Sequence, residues 1–431
     1  MFIFEKQITK RLRAKSCLVA AVALASGLGS FVAAADTTVK LLRVEISDAE
    51  KQYYDNIIAE YEANNPGVDV VFEYIANEAY KTRLPTLLQS DQRPDIFYSW
   101  GGEGLRNQME AGFVRDLTAE IMQDGWQDIY PASAVSAFTL DGRVYGAPLY
   151  ATVVGLWVNT ALTEKAGVEL ESLGTWEGLK DAVTALRAND ITPMVVGGKD
   201  GWPMHFYWGS LATRLAGGQG IEAAKQGVGD GFESDAFVRS GELLQSLVEL
   251  NPFQSGFMAT TYERASAMFG DGEAAMHLMG DWDYIPSKER SATGEGVPDE
   301  NLEFVPFPTI EGGAGNDNSF GGMNGFAVTQ GASDEAVDFL KFLLNEENQR
   351  EAARLGIFVP VAHGSEEELQ TDYAKKVATI LSESNHHQVF LDQALGTSVG
   401  ATINDISGDL ALGEVTPEDA AAQVEEAWQF R

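Results

Sequence analysis

The chain has almost no cysteine. Cys17 is the only one among 431 residues, and the Lys15-Ser16 pair before it does not fit the small and apolar residues that precede a lipid-modified cysteine. A lipid anchor is therefore not expected. The chain beyond this N-terminal stretch has no thiol, which excludes a disulfide, a thiolate metal site and a cysteine nucleophile there.

Basic residues and long apolar runs are also scarce. The chain has 30 Lys and Arg against 64 Asp and Glu, for a formal net charge of −34. Such an acidic surface repels nucleic acid and anionic lipid, so neither is an expected partner. The acids are scattered rather than grouped at metal-ligand spacing, which favours solubility over a cation site. After residue 35 no segment reaches the ~18 apolar residues of a membrane span, so no membrane insertion is expected.

The N-terminus has the pattern of an export signal. Residues 10–15 are rich in Lys and Arg, residues 18–28 are apolar, and Ala33-Ala34-Ala35 supplies small residues for cleavage before Asp36. An uncleaved anchor helix is the alternative, although several Gly and Ser residues make the stretch only weakly apolar. Removing residues 1–35 leaves 396 residues with a net charge of −38. We therefore expect a soluble protein of the periplasm.

The mature chain is long enough for two domains, since one core stops growing at ~250 to 300 residues. It opens with strand-like segments at residues 39–45, 68–75 and 95–98, and Ser47 has the capping spacing to Glu50 for the first helix. These patterns predict a parallel α/β unit, which binds ligands at the carboxyl ends of its strands.

The alternation resumes after Pro148. Residues 153–158 and 191–196 read as strands, and Thr175 is placed to cap the helix between them. Further along, residues 326–328 read as a short strand and residues 334–354 as one long amphipathic helix. A second α/β unit is therefore expected to follow the first.

Catalytic and metal motifs are weak in this chain. Residues 396–400 match the G-x-S-x-G nucleophile elbow, but that motif needs a strand before it and a histidine after it, and all five histidines lie upstream. His386 and His387 are adjacent, and on a helix they would point ~100° apart and not share an ion. We expect no metal and no cofactor. A carboxylate pair for glycoside hydrolysis stays open, because so many acids give pairs at any spacing.

The tryptophans are more informative. Five of them lie at or beside predicted strand ends and glycine-containing turns: Trp100, Trp157, Trp202, Trp208 and Trp282. Aromatic faces suit the apolar C–H faces of a pyranose, while its hydroxyls need polar partners. Core burial is the alternative for each of the five. For Trp126, Trp176 and Trp428, packing is the better interpretation.

Six segments together resemble a known family. They are residues 94–102 (PDIFYSWGG), 141–150 (DGRVYGAPLY), 155–162 (GLWVNTAL), 274–284 (AAMHLMGDWDY), 307–328 (FPTIEGGAGNDNSFGGMNGFAV) and 334–361. In this order the chain resembles the solute-binding proteins of bacterial ABC sugar importers, of the maltose-binding-protein type.

The resemblance implies an α/β fold of the type II periplasmic-binding-protein class, with a ligand cleft between two lobes and three hinge crossovers. The crossovers would lie near Pro148, residues 309–312 and residues 360–364. Lobe 1 would then comprise residues 36–148 plus 312–360, and lobe 2 residues 149–311 plus 361–431.

The resemblance also implies a set of ligand-binding residues. Trp282 matches the aromatic residue that stacks on sugar, and Gly321 and Gly322 match a segment that approaches the ligand by its backbone. The full set is Ser99, Trp100, Gly101, Tyr150, Lys199, Asp200, Trp202, Asp281, Trp282, Gly321, Gly322 and Asp392. Maltose itself is not implied, because Val158 stands where maltose binders carry a tyrosine.

The function that this implies is binding of a neutral sugar, an oligosaccharide, in the periplasm and its delivery to an inner-membrane ABC permease with its ATPase. The expected state is a monomer with no catalytic step. The alternatives are a secreted glycoside hydrolase, or a binding protein for a polyol, a glycerol phosphodiester or a polyamine.

Overall fold

The computed structural model describes residues 37–45, 47–123 and 125–431. The predicted export signal lies outside these residues. The strands of the described chain are β1 (Thr37–Val44), β2 (Val68–Ile75), β3 (Ile96–Ser99), β4 (Thr139–Leu140), β5 (Arg143–Val144), β6 (Ala147–Asn159), β7 (Met194–Val195), β8 (Met276–Gly280), β9 (Leu302–Pro306), β10 (Ser319–Val328) and β11 (His387–Val389).

Nine of these strands form one mixed sheet in the order β2-β1-β3-β10-β6-β8-β7, with β11 also paired to β10 and β9 to β6. The opening strands β1, β2 and β3 are parallel, as the alternation of strands and helices predicts. β10 runs antiparallel to both β3 and β6, and β6 runs antiparallel to β8 and β9. The central strands β6 and β10 therefore have neighbours on both sides.

Helices cover the sheet, and the two predicted N-caps are confirmed. Ser47 Oγ accepts the N–H of Glu50 at 3.1 Å, and Thr175 Oγ1 accepts the N–H of Gly178 at 3.2 Å. The helices are α1 (Asp48–Asn64), α2 (Asn77–Leu88), α3 (Gly102–Glu110), α4 (Thr118–Ile121), α5 (Ala132–Ser136), α6 (Thr160–Lys165), α7 (Trp176–Ala188), α8 (Trp202–Lys225), α9 (Asp235–Val248), α10 (Tyr262–Gly270), α11 (Tyr284–Glu289), α12 (Asp334–Leu343), α13 (Glu346–Leu355), α14 (Asp372–Glu383), α15 (Leu391–Ala394), α16 (Thr397–Leu412) and α17 (Pro417–Gln429).

The prediction of one long helix over residues 334–354 is wrong. The segment forms α12 and α13, and the break falls at Asn345, whose Oδ1 accepts the N–H of Asn348 at 2.8 Å. An asparagine that can cap a new helix competes with continuation of the old one. The apolar periodicity on either side of Asn345 hides this break.

The hydrophobic side chains form two separate buried cores. The first core takes side chains from β1, β3, α1, α2 and α12, and the second takes them from β7, β8, α7, α8, α9, α16 and α17. β6 and β10 contribute to both. Along β6 the change occurs between Ala151 in the first core and Val153 in the second, and along β10 between Phe320 in the second and Met323 in the first.

The positions at which β6 and β10 pass from one core to the other lie side by side in the sheet. Thr152 is paired with Gly322 in register, and its Oγ1 accepts the N–H of Gly322 at 2.8 Å. A Cβ on Gly321 would lie 1.8 Å from the carbonyl oxygen of Thr152, so only glycine allows the strands this approach. Near Phe358 and Val359 a third segment changes from the first core to the second. The predicted lobe boundaries at residues 148 and 311 precede, in the sequence, the positions at which β6 and β10 pass from one core to the other.

In the part of the chain that the structure describes, no helix is both long and apolar enough to cross a membrane.

Candidate ligand-binding cleft

A cavity with an empty volume of about 770 Å³ opens where elements of the two cores face each other. The first core supplies residues from the ends of β1 and β3 and the start of α2, and the second supplies residues from the starts of α8 and α10 and from the segment after β8. The lining residues are Arg43, Val44, Glu45, Asn77, Lys81, Tyr98, Trp100, Tyr150, Trp202, Phe206, Tyr262, Trp282, Arg290, Asn324, Phe390, Asp392 and Gln393.

The wall on the first core is built around Trp100, which directly follows β3. Its ring meets Tyr80 and Tyr98 edge to face, with ring centroids 5.6 and 5.2 Å apart. The Tyr98 hydroxyl is hydrogen-bonded to the Tyr150 hydroxyl at 2.8 Å. Because its neighbours are buried and Trp100 itself is half-buried, one part of the indole is fixed while another faces the cavity.

A buried ion pair fixes the end of β1 beneath this wall. Arg43 pairs with Glu50 of α1, and Arg43 Nε donates to the Tyr54 hydroxyl at 2.9 Å. The Arg43 guanidinium also lies 4.8 Å from the ring centroid of Tyr98. Burial raises the pKa of Glu50 to about 7, against the opposing effect of Arg43. The charge of Arg43 is therefore met within the first core.

The wall on the second core carries Trp202 and Trp282. Trp202 begins α8 directly after Gly201, whose φ of 74° favours glycine, and its ring lies 5.2 Å from Phe206 and 5.1 Å from Tyr262 between centroids. A Cβ on Gly280 would lie 1.7 Å from the Trp282 indole, so the indole lies directly on this glycine. This contact explains the Gly-x-Trp spacing in the sequence.

The two walls touch across the cleft. Lys81 of α2 places its Nζ 5.7 Å from the ring centroid of Trp202 on α8. Such a cation–π contact is worth ~0.5 to 1 kcal/mol when it is exposed. Lys81 therefore links an element of the first core to an element of the second.

A second cavity, of about 1310 Å³, continues from the first. Both cavities are lined by Lys81, Tyr98, Trp100, Asp392 and Gln393. Trp100 therefore lies at their junction. Together the two volumes form an elongated cleft with an aromatic residue near its middle.

Eight of the twelve residues predicted for the site line this cleft. Trp100, Tyr150, Trp202, Trp282 and Asp392 line the first cavity. Ser99, Gly101 and Asp200 line the second, together with Trp100 and Asp392.

Lys199, Asp281, Gly321 and Gly322 line neither cavity. Lys199 is exposed on the turn before α8. Asp281 is 3% exposed and accepts the backbone N–H of Val153 at 2.8 Å, where it ties the end of β8 to β6. Gly321 and Gly322 belong to β10 and pair with β6 where both strands pass from one core to the other. The structure thus places these four residues beside the cleft elements rather than on the cleft surface.

Two carboxyl groups near the cleft have raised pKa values. Burial raises the pKa of Asp281 to about 7, although the hydrogen bond from Val153 opposes the shift. Burial also raises the pKa of Asp200, whose Oδ2 accepts the N–H of Tyr262 at 2.7 Å. Asp200 therefore holds the start of α10, and with it the ring of Tyr262, against the cavity.

The remaining tryptophans belong to packing. Trp157 and Trp208 are each 1% exposed in the second core, and Trp157 Nε1 donates to the carbonyl of Gly280 at 3.0 Å. Core burial is thus the correct interpretation for these two. Trp126, Trp176 and Trp428 are buried as well.

Several cleft residues were missed by the sequence analysis. Most come from helix starts, turns and strand ends, and Asn324 comes from the middle of β10. They are Arg43, Asn77, Lys81, Phe206, Tyr262, Arg290, Asn324, Phe390 and Gln393. The aromatic residues among them had no glycine spacing of the Gly280–Trp282 kind to mark them. Only their position after a strand or at a helix start could have suggested them.

The weak motifs do not assemble into a catalytic or metal site. Residues 396–400 form the turn into α16 and its first turn, with no strand before them. His386 is exposed, and His387 lies on β11 rather than on a helix. Among the described residues, no group of three or more His, Cys, Asp or Glu side chains is arranged to hold a metal ion.

Comparisons with known proteins agree with this architecture. Residues 47–350 match the model of the family described as bacterial extracellular solute-binding protein. The xylose/arabinose-binding protein XacG of Haloferax volcanii is 24% identical over 262 residues, which cover 59% of this chain and 55% of that protein. The chain thus spans about half the length of this relative.

Solved structures match over most of the chain. A structure from work on xylan utilization by the thermophilic bacterium Caldanaerobius polysaccharolyticus has a TM-score of 0.83 and 27% identity, covering 90% of this chain and 99% of that one. A chitin oligosaccharide binding protein has a TM-score of 0.82 and 24% identity, covering 91% and 98%. These likenesses confirm the two-lobed α/β fold of the type II class. The family match covers well over half of the chain, and the protein belongs to the bacterial extracellular solute-binding protein family.

Proposed function

We propose that this protein binds an oligosaccharide in the cleft between its two cores and delivers it to an ABC permease. The observation that carries the proposal is the aromatic lining of the cleft on both sides. Trp100 stands on the first core, and Trp202 and Trp282 on the second. Aromatic faces are the surfaces on which the apolar faces of sugar rings stack.

The size of the cleft supports an oligosaccharide rather than a single sugar. The second cavity continues the first beyond Trp100, so the cleft extends further than either cavity alone. The relatives named for xylose and arabinose, for xylan utilization and for chitin oligosaccharide all concern carbohydrates. They support the class of ligand and leave its identity open.

Delivery would depend on closure of the cleft. In this proposal lobe 1 comprises residues 36–148 plus 312–360 and lobe 2 residues 149–311 plus 361–431, with hinge movement where the chain passes between the lobes, near Pro148, residues 309–312 and residues 360–364. A ligand that contacts both walls stabilises the closed arrangement, and the permease distinguishes closed from open. No chemical step is required of the protein.

The proposal places the mature protein in the periplasm as a monomer beginning at Asp36. N-terminal sequencing or intact mass of native material checks the cleavage site. A mature form that keeps residues 18–28 would contradict it. Size-exclusion chromatography with light scattering checks the monomer, with and without ligand.

A thermal-shift screen over xylo-, arabino-, chito- and malto-oligosaccharides tests the ligand class. A ligand at ~100 times its Kd adds ~2.7 kcal/mol to the free energy of unfolding. Each hit is then incubated with the protein and analysed by chromatography. Unchanged saccharide with a shift in tryptophan fluorescence supports a binding protein, whereas shorter products would support the glycoside hydrolase. Shifts with polyols, glycerol phosphodiesters or polyamines alone would overturn the sugar assignment.

A further inference from the structure

The basic residues of the first cavity stand out in so acidic a chain. Arg43, Lys81 and Arg290 line it, although Lys and Arg make up only 30 of 431 residues. Arg43 is paired with Glu50, and Lys81 Nζ lies 3.1 Å from a carboxylate oxygen of Glu78. Arg290 forms no ion pair with any carboxylate in the described part of the chain. It is therefore the one of these three cations that forms no direct ion pair with a carboxylate of the described chain.

Arg290 is held at the cavity by packing rather than by an acid. Its guanidinium lies 5.0 Å from the ring centroid of Tyr262, and its Nη1 is buried without a hydrogen-bond partner among the described residues. The nearby carboxylate of Asp283 uses its Oδ1 to accept both the Tyr262 hydroxyl at 2.8 Å and Ser266 Oγ at 2.7 Å, and its Oδ2 lies 3.2 Å from Nδ1 of the buried His277. Asp283 is near enough for its charge to act on Arg290, but it forms no ion pair with the guanidinium in the described structure. A guanidinium N–H can only donate, so Nη1 lacks an acceptor that a ligand would supply.

The wall on the second core has another buried hydrogen-bond donor without an acceptor. Trp202 Nε1 is buried with no acceptor in the described structure. Trp202 packs on Tyr262 at 5.1 Å, so Lys81, Trp202, Tyr262 and Arg290 form a row of two aromatic rings with a cation at each end. The substituents of a sugar ring stacked on these two aromatic rings would point toward the hydrogen-bond donors at either end.

In the second cavity the unpartnered side-chain atoms are acceptors rather than donors. Gln108 Oε1 of α3 and Asn404 Oδ1 of α16 both line it, and both are buried without a donor in the described residues. These oxygens accept hydrogen bonds, and sugar hydroxyls donate them. The first cavity therefore has unpartnered donors, Arg290 Nη1 and Trp202 Nε1, whereas the second has unpartnered acceptors, Gln108 Oε1 and Asn404 Oδ1.

We propose that the ligand is an acidic saccharide, with a uronic acid unit in the first cavity and neutral sugar units in the second. A carboxylate only accepts hydrogen bonds and carries the charge opposite to that of Arg290, and the ring and hydroxyl oxygens of the same uronic acid unit can accept from Trp202. This inference rests on the proposed function and replaces the neutral sugar that the sequence favours.

The position of Asp392, a buried acid of the cleft, is compatible with a uronic acid unit in the first cavity. Asp392 lines both cavities, whereas Arg290 lines only the first. Asp392 therefore lies at the junction of the two cavities, where its oxygens can accept sugar hydroxyls. Glu45 is exposed at the first cavity, and Lys51 Nζ lies 3.1 Å from its carboxylate.

The ligand itself provides the first test. Isothermal titration compares a xylo-oligosaccharide bearing glucuronic acid and a galacturonic acid trimer with their carboxyl-reduced counterparts, which keep the shape and lose the charge. We expect at least one acidic saccharide to bind about 10-fold or more tightly than its reduced form, since hydrogen bonds to charged groups are worth ~1.5 to 3 kcal/mol. Equal binding of the two forms, or a preference for neutral oligosaccharides, would overturn the inference and leave the proposed function standing. Failure of every saccharide would overturn both.

The protein provides the second test. Arg290→Gln should weaken binding of the acidic saccharide by roughly 10- to 100-fold and leave binding of its reduced form nearly unchanged. Arg264→Gln is the matched control, because Arg264 is exposed, pairs with Glu273 at 3.2 Å and lines neither cavity. Equal loss for both saccharides would assign Arg290 to packing against Tyr262 and contradict the proposal. If Arg290→Gln does not fold, the comparison of acidic and reduced saccharides on the unmodified protein decides alone.

Discussion

The carboxylate of Glu289 accepts the backbone N–H of Asp48 through both oxygens, at 3.2 and 3.3 Å. Asp48 begins α1, which packs in the first core, and Glu289 ends α11, which follows Trp282 on the side of the second core. The first turn of a helix carries a partial positive charge from its free N–H groups. Glu289 therefore joins elements of the two cores at a site that no ligand needs to touch.

We predict that Glu289→Ala weakens ligand binding without changing the cleft surface. The contact forms when the two walls are close, so its loss disfavours the closed state by ~0.3 to 1 kcal/mol, or about 2- to 5-fold in Kd. Titration of an identified ligand measures the change, and small-angle scattering of the free protein should show a more open average. Glu295→Ala, at an exposed turn, is the control. An unchanged affinity for Glu289→Ala would show that the contact does not report closure.

Trp282 and Trp208 allow a matched test of site against core. Trp282 is partly exposed at the cavity, so Trp282→Ala should weaken saccharide binding by about 1 to 3 kcal/mol, by analogy with stacking on other flat ligands. Trp208 is 1% exposed and lines neither cavity, so Trp208→Ala should instead lower the free energy of unfolding by about 3 to 5 kcal/mol.

Both quantities are measured on both variants, by titration and by urea unfolding. Trp282 also packs on Phe206 and Phe390, with centroids 6.1 and 6.0 Å apart, so some loss of stability is expected from its removal. A folded Trp282→Ala protein with unchanged affinity would remove this residue from the site.

Net charge should make the stability of this protein depend on salt. At a formal −34 for the full chain, like charges repel one another in the folded state, and salt screens that repulsion. We expect the melting temperature to rise between ~10 mM and ~500 mM sodium chloride, as the Debye length falls from ~30 Å to below ~8 Å. Potassium chloride at equal ionic strength controls for an ion-specific effect. A flat or falling melting temperature would contradict a significant repulsion term.

The sequence alone predicted the secondary-structure features whose signal comes from residues adjacent in the chain. Ser47 and Thr175 were recognisable caps because the capping residue and its helix adjoin in the chain. β2 was predicted with its observed bounds, Val68–Ile75, since apolar residues and the Asn-Pro-Gly turn delimit it. By contrast, ten-residue β10 was predicted only as residues 326–328, because its glycines carry no strand signal and exist for close approach to β6.

The residues of the candidate site also divide into those with a local signal in the sequence and those without one. Trp100 and Trp282 were predictable because each lies within two residues of a strand end and of a glycine. Arg290 and Gln108 were not, since each lies on or after a helix and meets the cleft only through the packing of distant segments. An unmet donor or acceptor is a property of three-dimensional surroundings, and no spacing in the sequence records it.

The carboxyl group of Asp281 should make stability depend on pH. Burial raises its pKa to about 7 in the folded protein, whereas an unfolded Asp titrates near ~3.9. The folded state thus holds a proton that the unfolded state releases, so the stabilisation is fully present below pH ~4 and is lost as pH rises through about 7.

Asp281→Asn should remove this loss. The asparagine Oδ1 can still accept the N–H of Val153, now held at 2.8 Å, but the side chain cannot ionise. We expect the variant to exceed the parent in free energy of unfolding at pH 8 by up to about 4 kcal/mol, and to approach it near pH 4. Urea unfolding at half-unit intervals from pH 4 to 8.5 measures both curves. Burial also raises the pKa of Glu50 to about 7 in the first core, and its contribution is common to both proteins, so the difference between the curves isolates Asp281. A variant less stable than the parent at every pH would show that the ionised carboxylate is required by its hydrogen bond, and that burial is not the dominant influence on this group.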